Sequence, residues 1–194
     1  MTVSIDVNPL ARLRNDRAAA RSLQDPCADV CTVANVDEHG KPQARTLVLR
    51  DIDDELAIFV NTTSPKWSYL GEVNVVVWLS SLNVQYRLAC TTQAINEATV
   101  HESWHLRPDP PKRLDWYYSM VKAQSAPVVD RGQLLAGLAE LALPEPLRAP
   151  QTAQGLFLRA SLIDRLELGQ ANGVHDRRCY KWSTNAWQES VLVP

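Results

Sequence analysis

At 194 residues the chain is long enough for one domain with a sizeable core, and a single domain over 1–194 is the simplest expectation. Twenty Lys and Arg stand against 22 Asp and Glu, for a net charge of -2, which removes the basic footprint that nucleic acid or an anionic membrane surface would ask for. With 45% hydrophobic and 22% charged residues, no charged-then-apolar leader and no apolar run of bilayer length, the chain reads as a globular cytoplasmic protein.

Taken in order, residues 1–7 read as a loose arm. Asn8 and Pro9 then form a cap and first-turn pair that opens a helix, with Leu10, Leu13, Ala20 and Leu23 on one side and Asp25-Pro26 as its stop. Strands are expected at about 30–36, 43–51 and 55–61. Asp37, Glu38, His39 and Gly40 make a hairpin turn in which Gly40 supplies a positive φ. In the second strand side chains alternate: Arg45, Leu47 and Leu49 share one face, Thr46, Val48 and Arg50 the other. An arginine amid Val and Leu is costly to bury unless an anion or polar partner meets it. Ser64-Pro65 announces a short helix whose start, with Lys66 beside it, offers backbone N–H groups to an anion. Arg45 and this helix start together suggest a phosphate site, while the plainer alternative is a β meander with a basic rim.

The run 73–80 is almost continuously apolar, as in a strand buried on both faces. After a turn at 81–83, a strand over 84–93 puts Gln85, Arg87 and Ala89 on one face; a solvent-facing Gln85 is the competing reading. Asn96 caps a helix reaching Leu106, helical residues follow at 112–121, and Gln124 and Ser125 lie in a loop. Asp130 caps a helix carrying Leu134, Leu135, Leu138 and Leu141. Residues 144–150 are a proline-rich connection. Strands over 155–168, 177–183 and 186–193 close the chain. This order, six to eight strands with helices inserted, suggests a closed or split antiparallel barrel. Cys27, Cys31, Cys90 and Cys179 contain no Cys-x-x-Cys pair or metal spacing, so idle thiols are expected and no metal site.

Several motifs now align. The hairpin at 37–40, the strand bearing Arg45, Leu49 and Arg50, and the Ser64-Pro65-Lys66 start resemble the pyridoxamine (pyridoxine) 5'-phosphate oxidase family, whose members are FMN-binding split barrels. The resemblance extends from about Asn8 to Pro194 through Gln85-Tyr86-Arg87, Trp104 to Pro108, Gln124-Ser125 and His175-Asp176-Arg177. It implies a mainly β, Greek-key-like FMN-binding split β-barrel with peripheral helices, working as a homodimer with FMN between subunits. Phe59, Val60 and Ser64 stand at cofactor positions, and Arg45, Val48, Arg50 and Lys66 would serve FMN from one chain. Gln85, Gln124, Ser125 and Arg177 would serve it from the other. His175 and Arg107 would orient the substrate, a reduced aromatic amine or alcohol from which a hydride passes to the flavin and on to O2.

The departures bear on the substrate. Arg50 stands for a lysine, Pro65 for a phosphate-binding arginine, and Phe59-Val60 for a Tyr-Thr pair. Ser103, Pro111 and Gly173 replace three substrate contacts, and the flavin-stacking Trp expected near 167–169 is missing. The FMN set is thinned and the vitamin-phosphate set eroded, so the expected substrate is a different, less phosphorylated ring compound, as for the family's dihydrophenazine oxidases. A non-catalytic flavin- or haem-binding module is a second reading. A third is a zinc hydrolase, because His101, Glu102 and His105 satisfy H-E-x-x-H; no third ligand follows at a familiar spacing.

Overall fold

The computed structural model describes residues 3–4 and 8–194. The expected arm at 1–7 therefore lies largely outside the described residues. Val3–Ser4 forms a two-residue strand, β1. Helix α1 follows at Pro9–Ser22, with Asn8 Oδ1 accepting from the Leu10 and Ala11 N–H groups. Its inward side is Leu13, Arg17 and Ala20, and Leu23 is exposed instead of continuing that stripe. Strands β2 (Val30–Val36), β3 (Pro42–Val48), β4 (Arg50–Ile52) and β5 (Glu55–Asn61) come next.

The second expected strand is thus two. Leu49 interrupts it because its N–H donates to Asp29 O and its carbonyl accepts from the buried Arg17 guanidinium. Strand β6 (Glu72–Leu79) turns through Asn83, whose φ is +52°, into β7 (Val84–Ala94). The apolar run of β6 is not buried on both faces. Val73, Val75, Val77 and Leu79 point inward, while Trp78 remains 36% exposed. Helices α2 (Glu97–His105), α3 (Asp109–Met120) and α4 (Arg131–Glu140) follow. Helix α3 begins three residues earlier than expected, because a proline in the first turn forfeits no intrahelical bond. The last strands are β8 (Ala153–Glu167), β9 (Asp176–Ser183) and β10 (Ala186–Leu192).

The sheet runs β1-β10-β9-β8-β7-β6-β2-β3, with β5 joined to β4 and β8. The chain divides into two compact units. One comprises residues 1–58, 69–93 and 157–194; the other comprises 59–68 and 94–156. In the first, Val33, Val75, Tyr86 and Ile163 are fully buried, and α1 packs on β6 with Tyr86 Oη donating to Asp16 Oδ2 at 2.6 Å. Arg165 is buried there, donating to Tyr86 Oη (3.0 Å), Asp16 and Glu167. Along β8 the inward side switches from even numbers (Leu158) to odd (Ile163, Arg165). Asp164 consequently faces outward with Arg87 and Arg177. In the second unit Ile95, Val100, Trp104, Tyr117 and Leu156 form the core. Gly155 is needed there, since a Cβ would lie 2.9 Å from Ile95 Cδ1 and 3.0 Å from Phe59 Cε1.

Candidate functional site

In the first unit, Arg45 lies on β3 opposite Val33, at one end of the sheet. It is half-buried, and its Nη1 donates to Asn35 Oδ1 at 2.8 Å. Asn35 is itself buried and lines a cavity of about 590 Å³ with Tyr69, Asn74 and Ser161. Among the described residues no carboxylate lies within ion-pair distance of Arg45, so its charge is met by a neutral amide. Val48, on the other face of β3, is 51% exposed. Arg50 is exposed and borders a second cavity of about 460 Å³ with Arg21 and Asp29.

The outward face of β7, β8 and β9 carries a different arrangement. Asp164 is buried under two arginines: Arg177 reaches it through Nε (3.2 Å) and Nη2 (2.8 Å), and Arg87 through Nη2 (3.1 Å). Asp164 hydrogen bonding holds the Arg177 guanidinium above its ordinary pKa. One carboxylate against two guanidiniums leaves this cluster one positive charge in excess. Gln85 is half-buried and sits directly across from Trp78 in the β6–β7 ladder. Trp78, 36% exposed, therefore shares that sheet face with Gln85, although no Trp occurs near 167–169. His175 is exposed in the turn before β9, two residues from Gly173, whose φ is +73°.

In the second unit, the end of β5 is pinned by the buried Asn61. Its Oδ1 accepts from Thr63 N–H (3.0 Å) and Oγ1–H (2.7 Å), and its amide donates to Thr152 Oγ1. The expected helix after Ser64 is only a five-residue 3-10 turn, Pro65–Tyr69. Pro65 brings no N–H, and Trp67 N–H donates to Ser64 O within the turn. The anion-binding potential here thus rests on side chains, not on a helix dipole. Lys66 Nζ donates to Ser64 Oγ (2.8 Å) and Gln124 Oε1 (3.4 Å), while Gln124 N–H donates to Thr63 Oγ1 (3.1 Å). These bonds join Lys66 and Gln124 within one chain. Ser125 follows at φ +71°, exposed. Phe59 is half-buried and Val60 buried, so neither offers a polar group at the end of β5.

Arg107 has a committed partner. Its Nη1 donates to Asp115 Oδ2, and Trp104 Nε1 donates to the same oxygen at 2.9 Å. Asp115 is 6% exposed, so this is a charge-compensated anchor between α2 and α3. His101 and His105 lie one turn apart on α2 with Nε2 atoms 3.2 Å apart. Among the described residues no group of three His, Cys, Asp or Glu gathers to hold a metal, which leaves the zinc-hydrolase reading without its ligand set.

Asn35, Asp164 and Asp115 escaped the sequence argument. Each is the partner that decides what a motif arginine can do. The available signal was an isolated polar residue in an apolar run, clearest for Asp164 after Leu162 and Ile163.

The fold is a split β-barrel. The chain superimposes with a TM-score of 0.82 and 22% identity, over 99% of its length and all of the other, on PhzG from Burkholderia lata in complex with tetrahydrophenazine-1-carboxylic acid. A pyridoxamine 5'-phosphate oxidase-related, FMN-binding protein from Nostoc punctiforme gives a TM-score of 0.78 and 19% identity, over 98% and 100% of the two chains. In sequence, the chain is 28% identical to a pyridoxine/pyridoxamine 5'-phosphate oxidase of Cyanothece sp., covering 98% of this chain and 90% of that one. It is 27% identical to the protein of that name from Chromohalobacter salexigens, covering 98% and 91%. No family model matches the chain. Among the described residues no helix is long and apolar enough to cross a membrane.

Proposed function

We propose that this chain is an FMN-dependent oxidase of the pyridoxamine 5'-phosphate oxidase type, acting as a homodimer on a small reduced aromatic amine or alcohol other than the vitamin phosphate. The observation that carries the reading is the contrast between its cations. Arg45 is held by a neutral amide, and Lys66 is set among Ser64, Thr63 and Gln124, a donor set suited to a phosphate monoester. Arg107, the substrate-phosphate candidate, is instead neutralised by buried Asp115.

These residues fit FMN. In the second unit, Ser64, Lys66 and Gln124 would serve FMN's phosphate; in the first, Arg45 would offer FMN a guanidinium held by a neutral amide. Gln85 and Arg177 would present an amide and a guanidinium to its ring. FMN, when bound, would supply two-electron redox chemistry with O2 as the acceptor. His175, exposed at the turn before β9, would orient the substrate's polar group and accept or hold its proton. Because Arg107 arrives already paired, and Ser103, Pro111 and Gly173 add no charge, a dianionic substrate tail finds little new attraction. The similarity to a protein crystallised with a tetrahydrophenazine carboxylate favours a reduced, carboxylated polycyclic ring. The exposed apolar residues Val36, Val48 and Trp78 support burial of that sheet face in a homodimer.

The test is spectroscopic. Purified protein should carry a flavin spectrum that bleaches anaerobically with a reduced phenazine carboxylate and only slowly with pyridoxamine 5'-phosphate. Protein that takes up no FMN would sink the reading. Rapid bleaching by pyridoxamine 5'-phosphate would return the chain to vitamin synthesis.

A further inference from the structure

We propose that His101 and His105 form a two-histidine chelate for a late first-row divalent ion of the Ni2+ or Cu2+ type. The site is on the surface of α2 and is independent of the flavin chemistry above.

The geometry comes from the helix. Residues four apart lie on one face, and here the two imidazoles converge: their Nε2 atoms are 3.2 Å apart while their ring centroids are 4.4 Å apart. The nitrogens thus lie closer together than the ring centres do. With metal–nitrogen bonds of roughly 2.0–2.1 Å, a 3.2 Å separation corresponds to an N–metal–N angle of about 99–106°. That lies between the octahedral and tetrahedral values, so one ion can take both nitrogens without moving either ring far. Placement is not left to rotamer freedom alone. His105 packs edge-on against the buried Trp104 ring at 5.4 Å, and Trp104 is anchored through Asp115. His101 is half-buried and, with Glu97 one turn earlier, lines a cavity of about 300 Å³.

The ligand count selects the ion. Among the described residues no third His, Cys, Asp or Glu completes the group, so the remaining positions fall to water. Structural zinc takes four protein ligands, and a catalytic zinc three. A pair of imidazoles with open water positions suits Ni2+ and Cu2+, which stand high in the affinity order for nitrogen sites. Glu102, adjacent to His101 in sequence, points off the 101–105 stripe and supplies no ligand.

The experiment is Ni2+ titration of the untagged full chain by calorimetry, as purified. The expected result is one ion per chain, with at least tenfold weaker binding in His101→Gln and in His105→Gln and no change in His39→Gln. His105 is exposed, so His105→Gln tests the site even if His101→Gln perturbs α2. Stoichiometric binding that survives in the double variant would overturn the proposal. So would the absence of binding in the parent chain, which would leave the pair as an imidazole–imidazole contact.

Discussion

Arg45 and Arg107 are both motif arginines, but the molecule treats them oppositely. Arg45 meets the neutral Oδ1 of Asn35, whereas Arg107 meets the carboxylate of a buried Asp115 that also holds Trp104. A guanidinium on a neutral acceptor keeps its charge for an incoming anion. One on a buried carboxylate has that charge cancelled, and its main contribution is to stability. The same residue type at two motif positions therefore serves two ends, and only the partner tells them apart.

The largest effect should come from the compensated side. Asp115→Ala removes the acceptor of two donors and leaves Arg107 without its counterion. We expect a loss of about 3–5 kcal/mol in urea unfolding, the range for breaking a buried pair. FMN affinity should hold at temperatures where the variant is folded. A loss below about 1 kcal/mol, the scale of an exposed pair, would show that Arg107 is a ligand-ready cation after all.

Next is the neutral side. Arg45→Ala should weaken FMN by about 1.5–3 kcal/mol, the scale of a charged hydrogen bond, with only a small change in unfolding midpoint. Unchanged FMN affinity by fluorescence titration would take Arg45 out of the site and dissolve the contrast.

How much of this was open to the sequence follows the same line. Local signals carried well: Asn8 and Asn96 cap their helices, Gly40 takes φ +74°, and β2 and β5 begin and end where apolar alternation put them. The break at Leu49 and the exposed face of β6 did not, because both depend on partners distant in sequence, Asp29 and Arg17 in one case and the unpaired sheet face in the other. For the candidate site the motifs identified the cations. Asn35, Asp115 and Asp164 were silent, since a polar residue in an apolar run declares that it has a partner without naming it.

Asp25 is the mirror image of Arg45, an anion held by neutral donors. Burial pushes its carboxyl up, but Ser81 and Cys27 N–H groups with the Ser81 and Ser80 hydroxyls outweigh that and bring it from 3.8 down to about 2. A depressed carboxylate contributes stability that is present above the unfolded value and lost as pH falls through the folded one. Parent protein should therefore lose about 2 kcal/mol as the pH falls from about 4 to about 2 through this group. Asp25→Asn should flatten that limb in melting scans. An acid limb of equal steepness in the variant would assign the loss to other carboxylates.

The smallest effect tests whether the missing cation can be put back. Gly173 occupies the position where the resemblance has an arginine, and direct restoration looks simple because a Cβ there would meet nothing within 4 Å. Space is not the obstacle. Gly173 sits at φ +73° with its N–H donating to Gln170 O at 3.0 Å, so the turn itself asks for a residue without a Cβ penalty. Gly173→Arg should cost about 1–2 kcal/mol of stability if the turn holds. If the turn relaxes, the new guanidinium and the neighbouring His175 both shift from their present positions. Either way the substituted chain should turn over pyridoxamine 5'-phosphate within a fewfold of the parent, measured by peroxide release. A gain of roughly tenfold or more, about 1.4 kcal/mol in the barrier, would mean that the lost arginine alone separates this chain from vitamin-phosphate chemistry, and that the compensation of Arg107 by Asp115 does not limit it.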